Sequence, residues 1–195
     1  SYTSNGNPVT QMNTLNKSDV FRQLFDLQQD LFKSWKLYAK IQWDSENVSS
    51  TDYDTDTHVQ THGRESLQDA ERKTRNILSF YAAVDGKIYR DLDLRLTLRN
   101  DIVDEKSAGF FPTATLVYRM PFVKGLSLNA GYSHNYRNPT LNDLYWNPGG
   151  NENLKGEDGK TVDFDINYLY ENVNFNLDFR TGLYYSKVND WIQWV

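Results

Sequence analysis

Three aspartates alternate with other residues in the segment 51–56, which reads TDYDTD. Carboxylate oxygens are the hard ligands that Ca²⁺ prefers, so Asp52, Asp54 and Asp56 are candidate ligands for a calcium ion in a loop. The glycine and the closing glutamate of an EF-hand loop are missing from this stretch. The sequence therefore favours a solvated acidic loop, with a Ca²⁺ site as the alternative.

Two histidines, His58 and His62, lie four residues apart in the same polar stretch, with Asp56 and Glu65 close in sequence. Imidazole and carboxylate groups at this spacing could ligate a transition metal or a haem iron if the stretch were helical. A solvated loop is the favoured interpretation here as well.

The remaining polar residues do not form a pattern that indicates an enzyme. Catalysis of this kind needs a nucleophile with a base, or two carboxylates, placed in one cleft. Asp143 and Glu157 could pair on a loop, but no Ser/His/Asp set can be placed at one rim. The chain has no cysteine, which excludes disulfides and cysteine-based zinc or redox sites. We predict that the protein is not an enzyme.

Charge and hydropathy exclude two further classes. The formal net charge is −5, and the lysines and arginines are scattered among acids, so no basic stripe is available to neutralise phosphates. Nucleic acid is therefore not an expected partner. The longest apolar runs, such as 80–84, are far shorter than the roughly 20 residues of a membrane-spanning helix.

The elements that must position these residues are β-strands, because apolar and polar residues alternate with period two along much of the chain. In the segment 35–44, one face would carry Trp35, Leu37, Ala39, Ile41 and Trp43, and the other Lys36, Lys40, Gln42 and Asp44. The same alternation recurs at 92–99, 126–133, 162–168 and 173–180. Each strand therefore has one apolar and one polar side.

The pattern predicts about eight antiparallel strands, joined by connections that alternate in length. The predicted strands are 19–32, 35–46, 75–85, 88–101, 110–120, 126–137, 161–170 and 173–188. The predicted connections are short at 33–34, 86–87, 121–125 and 171–172, and longer and polar at 47–74, 102–109 and 138–160.

Short turns on one side and long loops on the other are typical of an outer-membrane barrel, whose closed sheet pairs every backbone group that crosses hydrocarbon. The expected fold class is thus all-β, with antiparallel strands from a transmembrane β-barrel. The alternative is a soluble, glycan-binding β-sandwich with exposed Trp and Tyr residues as stacking platforms. Sandwich strands are typically only about 5 or 6 residues long.

Aromatic residues near one strand end fit the barrel interpretation. His134 falls on the same predicted strand face as Tyr132 and Tyr136, near the outer end of the strand. Outer-membrane barrels carry girdles of aromatic residues at both membrane interfaces. We therefore predict that these rings belong to such a girdle at the headgroup level.

Both ends of the chain look like cuts within a longer protein. Ser1 begins a polar stretch without the features of an export signal, and the chain stops inside the strand-like segment 190–195. Eight strands could close a small barrel, but the predicted polar faces carry charges and amides rather than tightly packed core side chains. The expectation is an arc of a larger barrel.

The most specific pattern lies between Gly131 and Lys155. It reads Tyr-Ser-x-x-aromatic-Arg-x-Pro-Thr-Leu at 132–141, Leu-Tyr at 144–145 and Gly-Asn-x-x-Leu-Lys at 150–155. This order resembles the barrel signature of the TonB-dependent receptor family, and similar flanking segments extend the resemblance over residues 92–195. Gly156 stands where the family commonly has a proline, and Asp163 where it usually has a glutamate. These departures would alter the geometry of the loop.

The resemblance implies a 22-stranded barrel in the outer membrane of a Gram-negative bacterium, closed by an N-terminal plug and energised through TonB. Residues 1–195 would then form a partial barrel domain, with the plug and the remaining strands absent. The implied function is uptake of a scarce nutrient: cobalamin, haem or a ferric siderophore. The run from Leu141 to Asn151 looks nearest to cobalamin receptors. The implied partners are membrane lipid, the plug, the TonB complex acting through the plug, and the nutrient itself.

The signature also suggests where a ligand would be bound. Pro139 cannot donate to a β-ladder, so the strand should end there, and Leu141, Leu144, Tyr145 and Trp146 can pack the following loop onto itself. This structural interpretation is favoured over direct ligand contact. The residues that we retain as ligand or loop candidates are Tyr145, Trp146 and Asn151 on the loop, and Arg137, Arg95 and Arg180 on the polar face, where they could touch a plug or anionic groups.

Overall fold

The secondary structure is almost entirely β. The computed structural model describes residues 3–4, 7–8, 12–32, 34–54, 72–145 and 150–193. Within these ranges the elements are β1 (Thr3–Ser4), β2 (Asn7–Pro8), β3 (Met12–Phe32), β4 (Trp35–Asp54), β5 (Arg72–Tyr89), β6 (Leu92–Val103), β7 (Lys106–Arg119), β8 (Leu126–Arg137), α1 (Leu141–Tyr145), β9 (Glu157–Asn172) and β10 (Phe175–Asn189).

Strands β3 to β10 form one antiparallel sheet in which every strand pairs with its neighbours in sequence, in the order β10-β9-β8-β7-β6-β5-β4-β3. The small strands β1 and β2 pair only with each other. The eight strands of the sheet range from 12 to 21 residues, whereas sandwich strands typically have about 5 or 6. The all-β class and the eight antiparallel strands are confirmed.

Several predicted boundaries are wrong. The turn expected at 86–87 lies at 90–91, because β5 continues to Tyr89, and the turn expected at 171–172 lies at 173–174. The long loop expected at 102–109 is a two-residue turn in which Asp104 and Glu105 adopt left-handed φ angles of 44° and 69°. The same polar residue types occur in the strands and in the loops. Residue type alone therefore does not predict where these strands end.

The long connection expected at 47–74 is also shorter than predicted. Strand β4 continues through Asp54, and β5 begins at Arg72. Asp52 and Asp54 therefore belong to β4, where their backbone pairs with Thr14 and Met12, rather than to a loop. The alternation of connection lengths persists at two places, after β4 and after β8.

The strand register sorts side chains onto two faces, because paired residues in an antiparallel sheet point to the same side. We call them the polar face and the apolar face. Central positions of the polar face include Arg22, Asp44, Lys40, Tyr81, Asp85, Arg95, Arg99, Thr113, Gly131, Asp163, Asp165 and Arg180. The corresponding positions of the apolar face include Phe25, Ile41, Phe80, Leu96, Leu98, Leu116, Ala130, Phe164 and Leu183.

Burial is concentrated on the polar face. In the described part of the chain, the buried strand residues are Asp44, Val48, Arg75, Ala83, Asp101 and Phe111, all of which occupy polar-face positions. The large side chains of the apolar face, such as Phe25 and Phe164, are exposed, and no second sheet covers them among the described strands. In a sheet that packs against a protein core, the apolar face is buried and the polar face is exposed. Here the apolar face is exposed, and the buried strand residues lie on the polar face.

One glycine on the apolar face is explained by its neighbour. Gly86 pairs with Trp35 across β4 and β5, and the indole ring lies directly over the glycine, so a side chain at position 86 would collide with the ring. An aromatic ring that covers a strand glycine shields the backbone that the missing side chain leaves open. Gly86 therefore belongs to the interior of β5 and is not a turn residue.

The short helix α1 does not approach the length and hydrophobicity needed to cross a bilayer, and neither does any other helix of the described residues.

We predict that Glu105→Gly stabilises the protein. A left-handed conformation costs an L-residue about 1–2 kcal/mol, a strain that glycine lacks, so we expect a gain of about 1 kcal/mol in the free energy of unfolding. Urea titration of the folded protein measures it. The matched control is Asp91→Gly in the turn between β5 and β6, which is not among the residues with positive φ. A loss of stability for Glu105→Gly would contradict the prediction.

Candidate functional site

The connection between β8 and β9 crosses the polar face near the end of the sheet opposite the turn at 90–91. Strand β8 pairs with β7 only as far as Ser133 but continues beside β9 to Arg137. Pro139 then ends the strand, as predicted, and α1 contacts β4 and β5, from which β8 is separated by β6 and β7. Leu141 is buried there. Helix α1 therefore packs across the sheet, and the expectation that Leu141, Leu144, Tyr145 and Trp146 pack the loop onto itself stays a prediction, since Trp146 lies outside the described residues.

Arg75 on β5 attaches the beginning of this connection to the sheet. Its Nη1 donates to the carbonyl oxygen of Pro139 at 2.5 Å, while its Nε and Nη2 donate to Glu46 Oε2 on β4 at 3.0 and 2.5 Å. Arg75 is only 7% exposed. A buried guanidinium needs such partners, because an unpaired charge away from water is costly.

A reciprocal capping box starts α1. The Thr140 hydroxyl accepts from the Asp143 backbone N–H at 3.0 Å, and the Asp143 carboxylate accepts from the Thr140 N–H at 2.8 Å. Both donors would otherwise lack a partner at the start of a helix. The Asp143 carbonyl in turn accepts from the Asn151 N–H at 2.9 Å, which brings Asn151 back to the helix.

Arg137 lies between the two carboxylates that sequence analysis considered as a pair. Its Nη2 is 3.4 Å from Asp143 Oδ2, and its Nη1 is 3.5 Å from Glu157 Oε2. Glu157 Oε1 also accepts from the Ile192 backbone N–H at 2.9 Å, which holds the segment after β10 against the start of β9. Asp143 and Glu157 therefore both pair with the Arg137 guanidinium. Through this contact they hold neighbouring chain segments together, which is a structural role.

We call Pro139–Tyr145 the crossing segment. An aromatic stack lies at the end of β8, just before this segment. The ring of Phe111 stacks on Tyr136 with centroids 5.0 Å apart and meets the edge of His134 at 5.3 Å, while the Arg99 guanidinium lies 5.3 Å from the Phe111 centroid. Arg99 Nη2 also donates to the Tyr136 carbonyl at 2.7 Å. These contacts order the end of β8 beyond its pairing with β7.

The place of His134 and Tyr136 in an aromatic girdle at the headgroup level stays a prediction. Their pairing with β9 puts both residues on the same side of β8 as Ala130 of the apolar face, and their rings contact Phe111 of β7. Phe111, which both rings contact, is 4% exposed and touches Arg99 of the polar face, and His134 Nε2 lies 2.7 Å from Asp158 Oδ2. The phenol of Tyr136 covers Gly156, where a side chain would collide with it. This contact accounts for a glycine at a position where proline is common.

Two loop candidates lie near this site. The Tyr145 ring at the end of α1 receives Lys73 Nζ of β5 at 4.9 Å from its centroid, a cation–π distance. Asn151 is exposed and is tied to α1. Trp146 lies outside the described residues. With Arg137, the structure brings three of the six candidates to one end of the sheet.

The other two arginines lie elsewhere on the polar face, each paired with an aspartate. Arg95 makes a bidentate pair with Asp85 on the neighbouring strand, and its guanidinium lies 6.0 Å from the Tyr38 ring centroid. Arg180 pairs with Asp178 two residues away on β10, at 2.8 and 3.0 Å. These pairs neutralise charge on the exposed polar face.

The candidate metal ligands do not form a described site. Asp56, His58 and His62 lie outside the described residues, as do the side chains of Asp52 and Asp54. Across the part of the chain that is described, no group of three His, Cys, Asp or Glu residues could hold a metal ion. The calcium assignment remains a prediction.

Sequence analysis missed Arg75, Glu46, Arg99 and Phe111, which hold the crossing segment. Phe111 did carry a signal, since it follows Phe110 directly and one of two adjacent aromatics in a strand must point to the polar side. Arg75 and Glu46 carried none, because their contact requires the register of β4 against β5, and the Pro139 carbonyl lies 64 residues from Arg75.

The comparisons with known proteins agree on one family. A family described as TonB dependent receptor-like, beta-barrel, matches residues 1–195. The vitamin B12 transporter BtuB of Photobacterium profundum is 26% identical over 161 residues, which cover 82% of this chain. The chain spans 23% of the length of that relative.

Solved structures share the fold at lower identity. The copper transporter OprC superimposes with a TM-score of 0.70 at 14% identity, covering 92% of this chain and 31% of its own. The siderophore receptor PirA from Pseudomonas aeruginosa has a TM-score of 0.63 at 15% identity, covering 89% and 32%. The ferric enterobactin receptor PfeA has a TM-score of 0.58 at 18% identity, covering 90% and 27%.

A single sheet of long antiparallel strands, with one exposed apolar face and a loop folded over the other, has the architecture of an outer-membrane barrel wall. The chain belongs to the TonB-dependent receptor family, in its β-barrel region. This family consists of transporters and receptors of the Gram-negative outer membrane rather than enzymes. Its members bind small-molecule nutrients and interact with TonB and a plug domain. The alternative of a soluble glycan-binding sandwich is therefore wrong.

We predict that Phe111→Ala strongly destabilises the protein. The change removes a buried ring that packs on Tyr136, His134 and Arg99, and a Phe→Ala change in a packed site costs about 3–5 kcal/mol. The control is Phe110→Ala on the apolar face, where the ring is 64% exposed. Urea unfolding in vesicles measures both. Equal losses for the two variants would refute the stack as a stabilising element.

We also predict that Asp143→Ala loosens α1 without unfolding the sheet. It removes the carboxylate that accepts from Thr140 N–H and pairs with Arg137, a cap worth about 1 kcal/mol or more. Amide hydrogen exchange in 141–145 should become faster, while exchange in β6 stays unchanged. Asn142→Ala, at an exposed position of the same helix, is the control. Unchanged exchange in Asp143→Ala would rule out this role of the cap.

Proposed function

We propose that this chain forms part of the barrel wall of an outer-membrane, TonB-dependent transporter that imports a scarce nutrient of the cobalamin, haem or ferric-siderophore kind. Among these we favour cobalamin. The observation that carries the proposal is a match to the receptor-barrel family over the whole chain, combined with a sheet whose apolar face is exposed and whose polar face is covered by a loop. The relative named as a vitamin B12 transporter supports the choice of cobalamin.

In this proposal the apolar face contacts membrane lipid. Rows of Leu, Phe and Val side chains without a covering layer would be unfavourable in water, whereas hydrocarbon solvates them. Strands of 12 to 21 residues exceed the roughly 9–11 that cross a bilayer at a tilt. The end with the turn at 90–91 would then face the periplasm, and the connection between β8 and β9 would lie outside the cell.

The polar face would line the interior of the barrel. Its charges are largely paired across strands, as in Asp26 with Lys40 at 3.4 Å and Lys87 with Asp93 at 2.9 Å. A wall of balanced charges can face water and a plug domain without a strong net field. We propose that Arg95 and Arg180 contact the plug from this wall, and that the plug in turn engages the TonB complex.

The connection between β8 and β9 would bind the nutrient. Asn151 is exposed, Tyr145 at the end of α1 is half-buried, and Trp146 directly follows α1 in the sequence. Aromatic rings offer large apolar contact area, and Asn offers both a donor and an acceptor. A Ca²⁺ ion bound by Asp52, Asp54 and Asp56 remains part of the proposal, as a means of ordering the connection between β4 and β5.

Uptake by the full-length receptor tests the proposal. Expressed in a Gram-negative strain that lacks its own cobalamin transporter, the receptor should import radiolabelled cobalamin only when TonB is present, and unlabelled haem or ferric siderophore should not compete. Tyr145→Ala should raise the half-saturating concentration about tenfold, which corresponds to about 1.4 kcal/mol. Tyr118→Ala, on the apolar face, is the matched control.

Two results would count against the proposal. TonB-dependent uptake of labelled haem or of a ferric siderophore, with no cobalamin uptake, would retain the transporter and change its substrate. A receptor that stays in aqueous buffer without detergent, and whose gel mobility does not change on heating, would refute the membrane-spanning barrel itself.

A further inference from the structure

The crossing segment is attached to one strand at both of its ends. At the first end, the Pro139 carbonyl accepts from Arg75 Nη1 at 2.5 Å. At the other end, the Tyr145 ring lies 4.9 Å from Lys73 Nζ. Arg75 and Lys73 are two residues apart on β5, so both point to the polar face. Strand β5 therefore holds the segment Pro139–Tyr145 at two points.

The contact at Arg75 uses a property that lysine lacks. One edge of the guanidinium, formed by Nε and Nη2, is engaged by Glu46, which leaves Nη1 to donate to Pro139. A guanidinium presents five donors in a rigid plane and can serve two acceptors in fixed directions, whereas an ammonium is a point charge on a flexible stem. Glu46 thus orients Arg75, and Arg75 orients the loop.

Fixing Pro139 fixes the helix that follows it. Thr140 is the cap of α1 and comes directly after Pro139, and the capping box holds the first turn rigidly to that point. Tyr145 is the last residue of the same helix. The direction in which Tyr145 is presented is therefore set largely by where Arg75 holds Pro139.

We propose that Arg75 is a positioning residue for nutrient recognition: by holding the Pro139 carbonyl it places α1, and with it Tyr145, in the orientation that binds the ligand. The inference rests on the transport function proposed above and goes beyond it, since Arg75 is buried beneath the loop and does not itself meet the nutrient. Its effect is on the half-saturating concentration and not on the maximal rate, because the loop's orientation determines binding and leaves later steps unchanged.

Variants of the full-length receptor separate positioning from general stability. Arg75→Gln should raise the half-saturating concentration for cobalamin at least tenfold, with the maximal uptake rate within twofold of wild type. The half-saturating concentration of Arg75→Lys should lie between those of wild type and Arg75→Gln. Arg22→Gln is the matched control, an arginine on the same face that is paired with Asp44 of the neighbouring strand. Heat-dependent gel mobility establishes that each variant is folded.

An exchanged pair sharpens the test. The double variant Arg75→Glu with Glu46→Arg keeps a buried ion pair between β4 and β5 but moves the guanidinium away from β5. We expect it to recover thermal stability relative to Arg75→Gln without recovering the affinity for cobalamin. Recovery of both would overturn the proposal, because it would show that the ion pair matters and the contact with Pro139 does not.

A second readout does not depend on any ligand. Nitroxide labels at Asn142→Cys and Lys124→Cys, on a background without other cysteines, report the distance from α1 to the turn between β7 and β8. We expect a narrow distance distribution in the parent and a broad or shifted one in Arg75→Gln, with Arg22→Gln unchanged. An unchanged distribution in Arg75→Gln would overturn the positioning role even if cobalamin is transported. A shifted one in a receptor that binds no cobalamin would uphold it and refute only the proposed substrate.

Discussion

The structure depends on one continuous ladder of backbone hydrogen bonds that joins β3 to β10 in a single layer. Because the described strands have no second sheet to pack against, the hydrophobic effect cannot act through a central core. Each strand must instead present apolar side chains to one side and polar side chains to the other. The period-two alternation of side chains is the only pattern that achieves this in one layer. The apolar face is left exposed as a consequence, and the few buried strand residues lie on the polar face.

The proposed binding site lies where this ladder of backbone hydrogen bonds changes. Strand β8 loses β7 as a partner after Ser133 but keeps β9, so its last residues leave the wall and lead the chain across the polar face. Arginine side chains then replace backbone pairing as the means of support: Arg75 holds Pro139, Arg99 holds Tyr136 and Arg137 joins Asp143 to Glu157. A rigid wall that presents a loop through fixed side chains is a general solution for binding sites.

The class of the fold and the number of strands could be predicted from the sequence, because alternation such as Leu92, Leu94, Leu96 and Leu98 is a local signal. The end of β8 at Arg137, two residues before Pro139, was equally local. Turn positions were not, since polar strand residues such as Asp85 and Lys87 resemble loop residues, and Asp104-Glu105 makes a tight turn without glycine. The crossing of the loop was beyond local signals altogether, because it depends on Arg75 meeting a carbonyl 64 residues away.

The central claim is that the two faces of this sheet contact different media, lipid on one side and water on the other. Nitroxide labels placed singly along β6 in the outer membrane, at Leu96, Thr97 and Leu98, test it most directly through their collisions with oxygen and with a water-soluble nickel complex. The account predicts that the labels at Leu96 and Leu98 collide mainly with oxygen and the label at Thr97 with nickel. Access of the nickel complex to all three positions alike would contradict it.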